Sequence, residues 1–400
     1  MCFLPEGAVP PGRPVQQSRT EAAPHPPIPD MRLAGSPALL LLALLAACGI
    51  DRATVPTEPA LAPTGAVRAL TGATSVEILP EGAIRGDARG LNASGQVTGS
   101  QFGLIPNSDD LRPYRSTRGS GSAQLTGCCD TAWGADVNDA GVVVGTAQTS
   151  AILGKHGFVA VGESMVALPI LAGGDPEDHS GAVAINDAGQ IVGYSPSPTG
   201  RHAVLWSVAG GIQDLGTLGG STSEAIDINA SGLVIGKSLI AGDAATHFFL
   251  WSTATGMQDL ETLLGAITSV VEMNDAGQII GTHITSDGAS HAFLYTPGSA
   301  LLDLGTLGGT TSAPTGLNDA GQVVGSSTLA DGSTHAFLWT PTDGIEDITV
   351  VSGIRTVRRL NDSLQTLAGP VATPTSLPSL AAMGDPLLVQ LQFTPTTGSR

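Results

Sequence analysis

The chain has 400 residues, including 53 glycines, with 4% aromatic and 13% charged residues. This composition suits many short strands joined by tight turns. It argues against long helices, which would contain more Lys, Glu and Arg and far less Gly. The formal net charge is −18, so nucleic acid is not expected as a partner, because phosphate binding requires a basic surface.

The first 47 residues carry the pattern of a targeting signal. Residues 1–30 are rich in proline and lack periodicity, and we interpret them as an upstream extension of the gene model, with translation starting at Met31. Residues 31–47 contain an apolar run far below the roughly 20 residues needed to span a bilayer, which favours a signal peptide over a transmembrane helix. That run ends in Leu45-Ala46-Ala47-Cys48.

A cysteine that follows small residues at this distance from the apolar run resembles the end of a bacterial lipoprotein signal. The resemblance implies that Cys48 becomes the lipidated N-terminus and holds the exported protein at a membrane of the cell envelope. Gly49 stands where some bacteria place an aspartate that retains lipoproteins at the inner membrane. The resemblance therefore favours the outer membrane, facing the periplasm or the exterior. Residues 48–66 are proline-rich and are predicted to form an extended tether.

The most informative pattern in the remaining chain is a turn that recurs at a nearly fixed interval. It reads Asn-(Asp/Ala)-(Ala/Ser)-Gly before a short apolar run, and the last copy is degenerate, with Leu364 in place of the glycine. Successive copies lie 43 to 48 residues apart, a period typical of repeat architectures. The seven copies begin at Asn92, Asn138, Asn186, Asn229, Asn274, Asn318 and Asn361.

Each turn belongs to a unit that predicts four short strands. Around Asn318, two apolar segments flank the turn and predict a hairpin, because glycine readily adopts the left-handed conformation that closes such loops. The aromatic-rich segment His335–Trp339 predicts a third strand, and a short segment ending at Asp347 predicts a fourth. The aromatic-rich segment recurs as His202–Trp206, His247–Trp251, His291–Tyr295 and, more weakly, His156–Phe158.

Four strands per unit are the content of one propeller blade. The units over residues 67–395 therefore predict an all-β fold, a β-propeller of about seven four-stranded blades. The segment Leu387–Phe393 is predicted to be the closing strand. The alternatives are six or eight blades, because the terminal units are irregular, or a β-solenoid, whose coils are usually shorter than these units.

Three sequence signatures together resemble the bacterial extracellular HAF repeats, which are named for their His-Ala-Phe triplet. The other two signatures are Asp-Leu-Gly-Thr-Leu-Gly-Gly, as in 303–309, and Asn-Asp-Ala-Gly-Gln-Val-Val-Gly, as in 318–325. The resemblance covers residues 180–350 well and 76–180 loosely, where the first unit lacks the His-Ala-Phe strand. It implies an extracellular setting and carries no activity over to this chain.

The recurring polar residues are predicted to be structural. Equivalent histidines in successive units lie too far apart to converge on one metal, so each is expected to bond a turn or a neighbouring strand. They are His202, His247, His291 and His335. Asp227 begins a segment that resembles a calcium loop, but Ser238 stands where the bidentate acid belongs. No metal, cofactor or catalytic residue is therefore predicted.

Candidate ligand-binding residues are sought where the units differ, because loops that vary on a rigid scaffold often carry function. The strand order places two loop sets on one face, which we call the variable-loop face: those before each His-Ala-Phe strand and those after each Asp-Leu-Gly segment. One of these loops holds the acid–histidine cluster Asp175, Glu177, Asp178 and His179. A solvated acidic loop is the alternative interpretation of this cluster.

A second candidate lies in the first unit. Residues 101–127 are predicted to be an insertion, the most basic stretch of the mature protein, that would suit an anion or a protein partner. It holds Arg112, Tyr114 and Arg115. The adjacent Cys128 and Cys129 would form a vicinal disulfide or remain small buried residues.

These observations predict a lipid-anchored cell-envelope protein that acts as a ligand- or protein-binding module, with carbohydrate or protein as the ligand. One alternative is a propeller-type carbohydrate-active enzyme that uses acidic residues on the variable-loop face. Another is a purely structural envelope protein. The sequence leaves the oligomeric state open.

Overall fold

The computed structural model describes residues 69–77, 85–102, 111–117, 121–126, 131–149, 152–207, 211–349, 356–368 and 387–394. Within these ranges the chain forms seven antiparallel sheets of four strands each. The innermost strands contact one another in a closed cycle around a central channel. The predicted all-β fold, a β-propeller of seven four-stranded blades, is confirmed, and the solenoid alternative is wrong.

Blades 1 to 6 each take their four strands from the innermost to the outermost in chain order. Blade 1 contains β2 (Arg85–Leu91), β3 (Val97–Phe102), β4 (Leu111–Thr117) and β5 (Gly121–Gln124). Blade 2 contains β6 (Thr131–Val137), β7 (Val143–Thr149), β8 (Ile152–Val161) and β9 (Ser164–Ala167). Blade 3 contains β10 (Gly181–Ile185), β11 (Ile191–Ser197), β12 (Gly200–Ser207) and β13 (Gly211–Gly216).

Blades 4 to 6 repeat this arrangement with little change. Blade 4 contains β14 (Gly219–Ile228), β15 (Val234–Ile240), β16 (Thr246–Ser252) and β17 (Gly256–Asp259). Blade 5 contains β18 (Ile267–Met273), β19 (Ile279–Ile284), β20 (Ser290–Tyr295) and β21 (Leu302–Asp303). Blade 6 contains β22 (Ser312–Leu317), β23 (Val323–Thr328), β24 (Thr334–Thr340) and β25 (Gly344–Asp347).

Blade 7 closes the ring by combining both ends of the described chain. It contains β26 (Val357–Leu360), β27 (Gln365–Ala368), β28 (Leu387–Thr394) and, outermost, β1 (Ala69–Glu77). Strand β1 pairs with β28 from Ala69 opposite Thr394 to Glu77 opposite Leu387. The predicted closing strand is thereby confirmed, and no blade is left incomplete.

The helical segments in the described part of the chain are short, and the first of them lies within blade 4, between β15 and β16. A 3₁₀ turn covers Ala241–Asp243, and a single α-helical turn, Leu260–Leu264, joins blades 4 and 5. Asp259 caps that helix by accepting a hydrogen bond from the Glu261 amide. No helix in the described part of the chain is long and apolar enough to cross a membrane.

The core of a blade is built from a glycine on its second strand and an aromatic ring on its third. In blade 6, Gly325 lies opposite Phe337, and a methyl group on that glycine would come within 2.6 Å of the ring. The same pairing holds Phe158, Phe249 and Phe293 against glycines in blades 2, 4 and 5, and all four rings are fully buried. The high glycine content therefore serves layer packing as well as turns.

The seven turn asparagines form a closed belt of hydrogen bonds around one mouth of the channel. Each side-chain Nδ2 donates to the backbone carbonyl of the corresponding asparagine in the next blade, over 2.9 to 3.5 Å. The belt closes where Asn361 donates to Asn92 at 3.0 Å. All seven asparagines are buried. The turn pattern thus specifies contacts between blades in addition to hairpin geometry.

The turn glycines supply the backbone conformation that the belt requires. Gly95 and Gly321, for example, have φ angles of 76° and 72°. In the degenerate copy Leu364 adopts φ 57°, a region that costs a non-glycine residue roughly 1–2 kcal/mol. Blade 7 therefore keeps the geometry of the other turns at a local energetic cost.

Candidate functional site

The four repeated histidines lie on the third strand of blades 3 to 6 and bind an aspartate within their own blade. In each case Nδ1 donates to the carboxylate twelve residues later, over 2.6 to 2.9 Å. The carboxylate also accepts a backbone N–H two residues beyond it, which fixes the start of the next linker. The predicted hydrogen bond from each histidine to a neighbouring part of the fold is confirmed, and its structural role stays a prediction. The pairs are His202–Asp214, His247–Asp259, His291–Asp303 and His335–Asp347.

Blade 2 departs from this pattern, and its departure shapes the loop at 171–180. His156 occupies the histidine position, but Leu168 stands where its aspartate belongs. In the absence of that aspartate, the loop at 171–180 folds back towards His156, and the carbonyl of Pro176 accepts a hydrogen bond from the imidazole. Burial, followed by the charge of His179, lowers the pKa of His156. The divergent loop thus replaces a missing structural partner.

The predicted acid–histidine cluster lies on this loop and is exposed. Asp175, Glu177, Asp178 and His179 all face solvent. Oδ1 of Asp175 accepts a hydrogen bond from the Glu177 amide at 2.9 Å, and the Asp178 amide donates to the Asp175 carbonyl at 3.1 Å. These contacts make a local turn. The ligand-binding role of the four residues stays a prediction.

The structure corrects the interpretation of residues 101–127 as an insertion. They include strands β4 and β5, so the first unit does contain a third strand. Tyr114 takes the place of the core phenylalanine; it is fully buried, and its hydroxyl donates to the Asp87 carbonyl at 2.9 Å. Burial, followed by the charge of Asp87, raises the pKa of Tyr114. Tyr114 is therefore a core residue, unavailable to a ligand.

Two arginines of this segment, Arg112 and Arg115, lie on β4 with Tyr114. Both are partly exposed, and Arg115 donates from Nη1 to the Gly141 carbonyl in blade 2 at 2.6 Å. That bond ties two blades together. The segment was not recognisable as a third strand from the sequence, because Arg112-Pro113-Tyr114 stands where sister units have His-Ala-Phe.

A cavity of about 230 Å³ opens in blade 6, on the face of the ring that carries the asparagine turns. The β22–β23 turn and the β24–β25 turn form its walls, and the fully buried Leu338 contributes to its lining. The polar lining residues are Gln322, Thr340, Thr342, Asp343 and Glu346. Ala320 and Pro341 complete the described lining.

Beside the cavity, blade 6 lacks a hydrogen bond that blades 1 and 5 make. In blades 1 and 5 the glutamine after the turn donates to a threonine hydroxyl, as Gln278 does to Thr296 at 3.0 Å. In blade 6 the hydroxyl of the corresponding Thr340 interacts with Asp343. Within the described part of the chain, Nε2 of Gln322 has no acceptor, and it borders the cavity as a free donor.

The acidic side of the cavity is held by its own network. Oδ2 of Asp343 accepts hydrogen bonds from Thr342 at 2.8 Å and from Thr340 at 3.2 Å. Partial burial, followed by the negative charge of Asp343, raises the pKa of Glu346. A carboxyl with a raised pKa in a cavity is a recognised mark of a binding or catalytic site.

Sequence reasoning missed this site, although a signal was present. Glu346 pairs with Leu338 across the sheet, and the same register position holds a neutral residue in blades 1 to 5. Those residues are Ala123, Val166, Gln213, Gln258 and Leu302. Aligning the fourth strands of the units position by position would have identified Glu346 as an exception.

The segment that resembles a calcium loop has a different role. Asp227 is buried at the inner strand, where Oδ1 accepts the Ile228 amide and Oδ2 accepts the Met273 amide of the next blade, both at 2.9 Å. Among the described residues, no group of three or more His, Cys, Asp or Glu side chains is arranged to hold a metal ion.

Comparison with known proteins finds only distant structural similarity. No protein-family model matches the chain, and no curated protein sequence does. The chain is similar to the solved structure of TolB from Acinetobacter baumannii, with 11% identity, a TM-score of 0.43 and coverage of 63% of this chain and 62% of that one. It therefore spans less than two thirds of that relative's length.

Two further solved structures show the same distant likeness. The β-propeller domain of the Trilobed protease from Pyrococcus furiosus has 9% identity and a TM-score of 0.45, with coverage of 66% of this chain and 83% of that one. A lectin from Burkholderia pseudomallei has 11% identity and a TM-score of 0.40, with coverage of 74% and 91%.

Proposed function

We propose that this protein is a binding module of the cell envelope whose blade 6 cavity receives a small polyhydroxylated ligand, a single sugar unit of a glycan. The observation that carries the proposal is the cavity itself, with its free amide donor and its partly buried carboxyl. Its volume of about 230 Å³ lies below the roughly 300–1,000 Å³ of drug-sized sites. A terminal sugar is of the right scale.

The polar groups of the cavity select the chemistry of the ligand. Gln322 offers a donor, and Asp343 and Glu346 offer acceptors, which together match hydroxyl groups that both donate and accept. No lysine or arginine is among the described lining residues, so an anionic ligand would be repelled. Leu338, Ala320 and Pro341 supply apolar surface for the carbon face of a sugar ring.

The proposal is tested by screening a glycan array with the folded protein and then titrating a bound glycan. We expect Glu346→Gln to weaken that glycan about 10-fold or more, because a hydrogen bond to a charged group contributes roughly 1.5–3 kcal/mol. Glu163→Gln is the matched control: it changes an exposed glutamate in the corresponding turn of blade 2 and should leave the affinity unchanged.

Three outcomes would contradict this assignment. Binding of no glycan at all would favour the purely structural alternative. Binding lost in an Asp175→Asn, Glu177→Gln, Asp178→Asn triple variant, and retained in Glu346→Gln, would move the site to the variable-loop face. Product formation that disappears in either variant would favour the enzyme alternative.

We propose also that the lipoprotein-type signal is processed, so that acylated Cys48 anchors the module to the envelope. The supporting observation is the Leu-Ala-Ala-Cys sequence after a short apolar run. We expect intact-mass spectrometry of the mature protein to show a chain that begins at Cys48 and carries acyl groups. A mature N-terminus elsewhere would overturn the proposal, and Cys48→Ser should release the protein into the soluble fraction.

A further inference from the structure

The central channel contains a ring of positions at one level, each lying two residues before a turn asparagine. Around the ring these positions hold Gly90, Asp136, Ala184, Asp227, Glu272, Gly316 and Arg359. Three are acidic and one is basic, so this level of the channel carries a formal excess of negative charge. The other three positions hold the small residues Gly90, Ala184 and Gly316, so the repeat pattern by itself does not predict this charge.

The three acids are fixed in place by the blade that follows each of them. Asp136 accepts a hydrogen bond from the Ile185 amide at 3.0 Å, and Asp227 accepts one from the Met273 amide at 2.9 Å. Glu272 accepts one from the Leu317 amide at 2.8 Å. In each case one carboxylate oxygen accepts the bond from the next blade, and this bond holds the side chain at the inner wall of the ring.

Arg359 reaches these acids from the closing blade. Its Nη1 binds Oε1 of Glu272 in blade 5, and its Nε donates to the Arg89 carbonyl in blade 1 at 3.1 Å. The Arg359 side chain is 28% exposed and that of Glu272 is 12% exposed, so water screens the pair only partly. One side chain therefore joins three blades.

The backbone is distorted to make this reach. In the other six blades the β-bulge of the inner strand is centred on the third residue before the turn asparagine. In blade 7 the bulge is one residue later, at Arg359, which is the second residue before Asn361. Arg359 has φ 55°, a conformation that a bulky residue keeps only where its surroundings stabilise it. Gly316 makes room, because a methyl group there would lie 2.6 Å from the Arg359 backbone.

We propose that the channel acids form a guanidinium-binding site and that Arg359 is its resident occupant, which locks the closing blade to blades 5 and 1. The acceptors around Arg359 suit a guanidinium group. A carboxylate faces Nη1, a backbone carbonyl faces Nε, and two further acids supply negative charge. Asp136 and Asp227 raise the pKa of Arg359 after Glu272 does. The remaining three positions of the ring, Gly90, Ala184 and Gly316, are uncharged.

The experiment compares thermal unfolding of Arg359→Ala and Arg358→Ala. Arg358 is the exposed neighbour on the same strand, so its variant matches the loss of one positive charge. We expect Arg359→Ala to lower the Tm by roughly 5–10 °C, because it leaves partly buried acids unpaired. Arg358→Ala should shift the Tm by about 2 °C or less.

Chemical rescue distinguishes a guanidinium site from general loss of packing. Methylguanidinium at low millimolar concentration should restore part of the Tm lost in Arg359→Ala, and it should leave the wild type and Arg358→Ala unchanged. Methylammonium at the same concentration is the control. Equal effects of the two cations, or a Tm of Arg359→Ala equal to that of wild type, would overturn the proposal. Should Arg359→Ala fail to fold, Arg359→Lys with the same additives gives the same test.

The pH dependence provides a second readout. Burial, and then Glu272, raises the pKa of Asp227 to about 7, and burial raises that of Asp136. A raised carboxyl pKa in the folded state adds stability at low pH that is lost as the pH rises through the folded value. Removing the arginine raises the pKa values of Asp227 and Asp136 further, because its positive charge lowers both. The Tm deficit of Arg359→Ala relative to the wild type should therefore be larger at pH 8 than at pH 5. A constant deficit would contradict the proposal.

Discussion

Replacing Gly325 by alanine should destabilise the protein by about 3 kcal/mol or more, which is at or above the upper end of ordinary overpacking. The new methyl group would lie 2.2 Å from the Ala313 carbonyl oxygen and 2.6 Å from the Phe337 ring. Neither neighbour can withdraw, since one is backbone within the sheet and the other is fully buried. Urea denaturation of the variant and the wild type measures the loss.

Gly344→Ala is the matched control for this prediction. Gly344 lies in the same blade and has φ 73°, but a methyl group there would meet nothing within 4 Å. Its cost should therefore be limited to backbone strain, roughly 1–2 kcal/mol. Similar losses for the two variants would show that the glycines act through the backbone, and the layer-packing interpretation would then be wrong.

Asn274→Asp should lower stability by about 3 kcal/mol at neutral pH, because it removes buried hydrogen-bond donors from the belt and introduces a charge. Nδ2 of Asn274 donates to Oε1 of Gln278 at 2.8 Å and to the Asn318 carbonyl at 3.0 Å. A carboxylate would face two acceptors and would therefore have a raised pKa. Protonation restores one donor, so the loss should be smaller at pH 4 than at pH 8.

The control for the added charge is Ala276→Asp, at an exposed position in the same turn. It should change stability by about 0.5 kcal/mol or less. The comparison is made at each pH against the wild type, which has its own buried acids. An Asn274→Asp deficit that stays constant with pH would contradict the assigned role of the amide as a donor.

The sequence was sufficient to predict the architecture because each unit repeats the same physical solution. The turn at Asn318, the aromatic segment from His335 and the short strand to Asp347 each predicted an element that the structure contains. The local hydrogen bonds of the histidines were predictable for the same reason. Histidines on the third strands of different blades are too far apart to meet, so each must act within its own blade or on a neighbouring one.

The features that were missed depend on contacts between units or on one altered position. Tyr114 was taken for a loop residue because the two arginines and the proline around it hide the pattern of a core strand. Arg359 lies one residue before Leu360, in an ordinary-looking strand, and only the shifted bulge sends its side chain into the channel. Glu346 is a single acid at a position where the sister units hold neutral residues, and only its surroundings in the folded blade set it apart.

The belt of asparagines and the closing blade have a consequence for the order of the chain. Every blade makes the same contact with the next, and the two ends of the described ring are paired neighbours, Ala69 and Thr394. A short peptide between these two residues, with new ends opened at an outer turn such as 253–255, would preserve every interface between blades. The gene's order of units is thus one circular permutation among seven that specify the same ring.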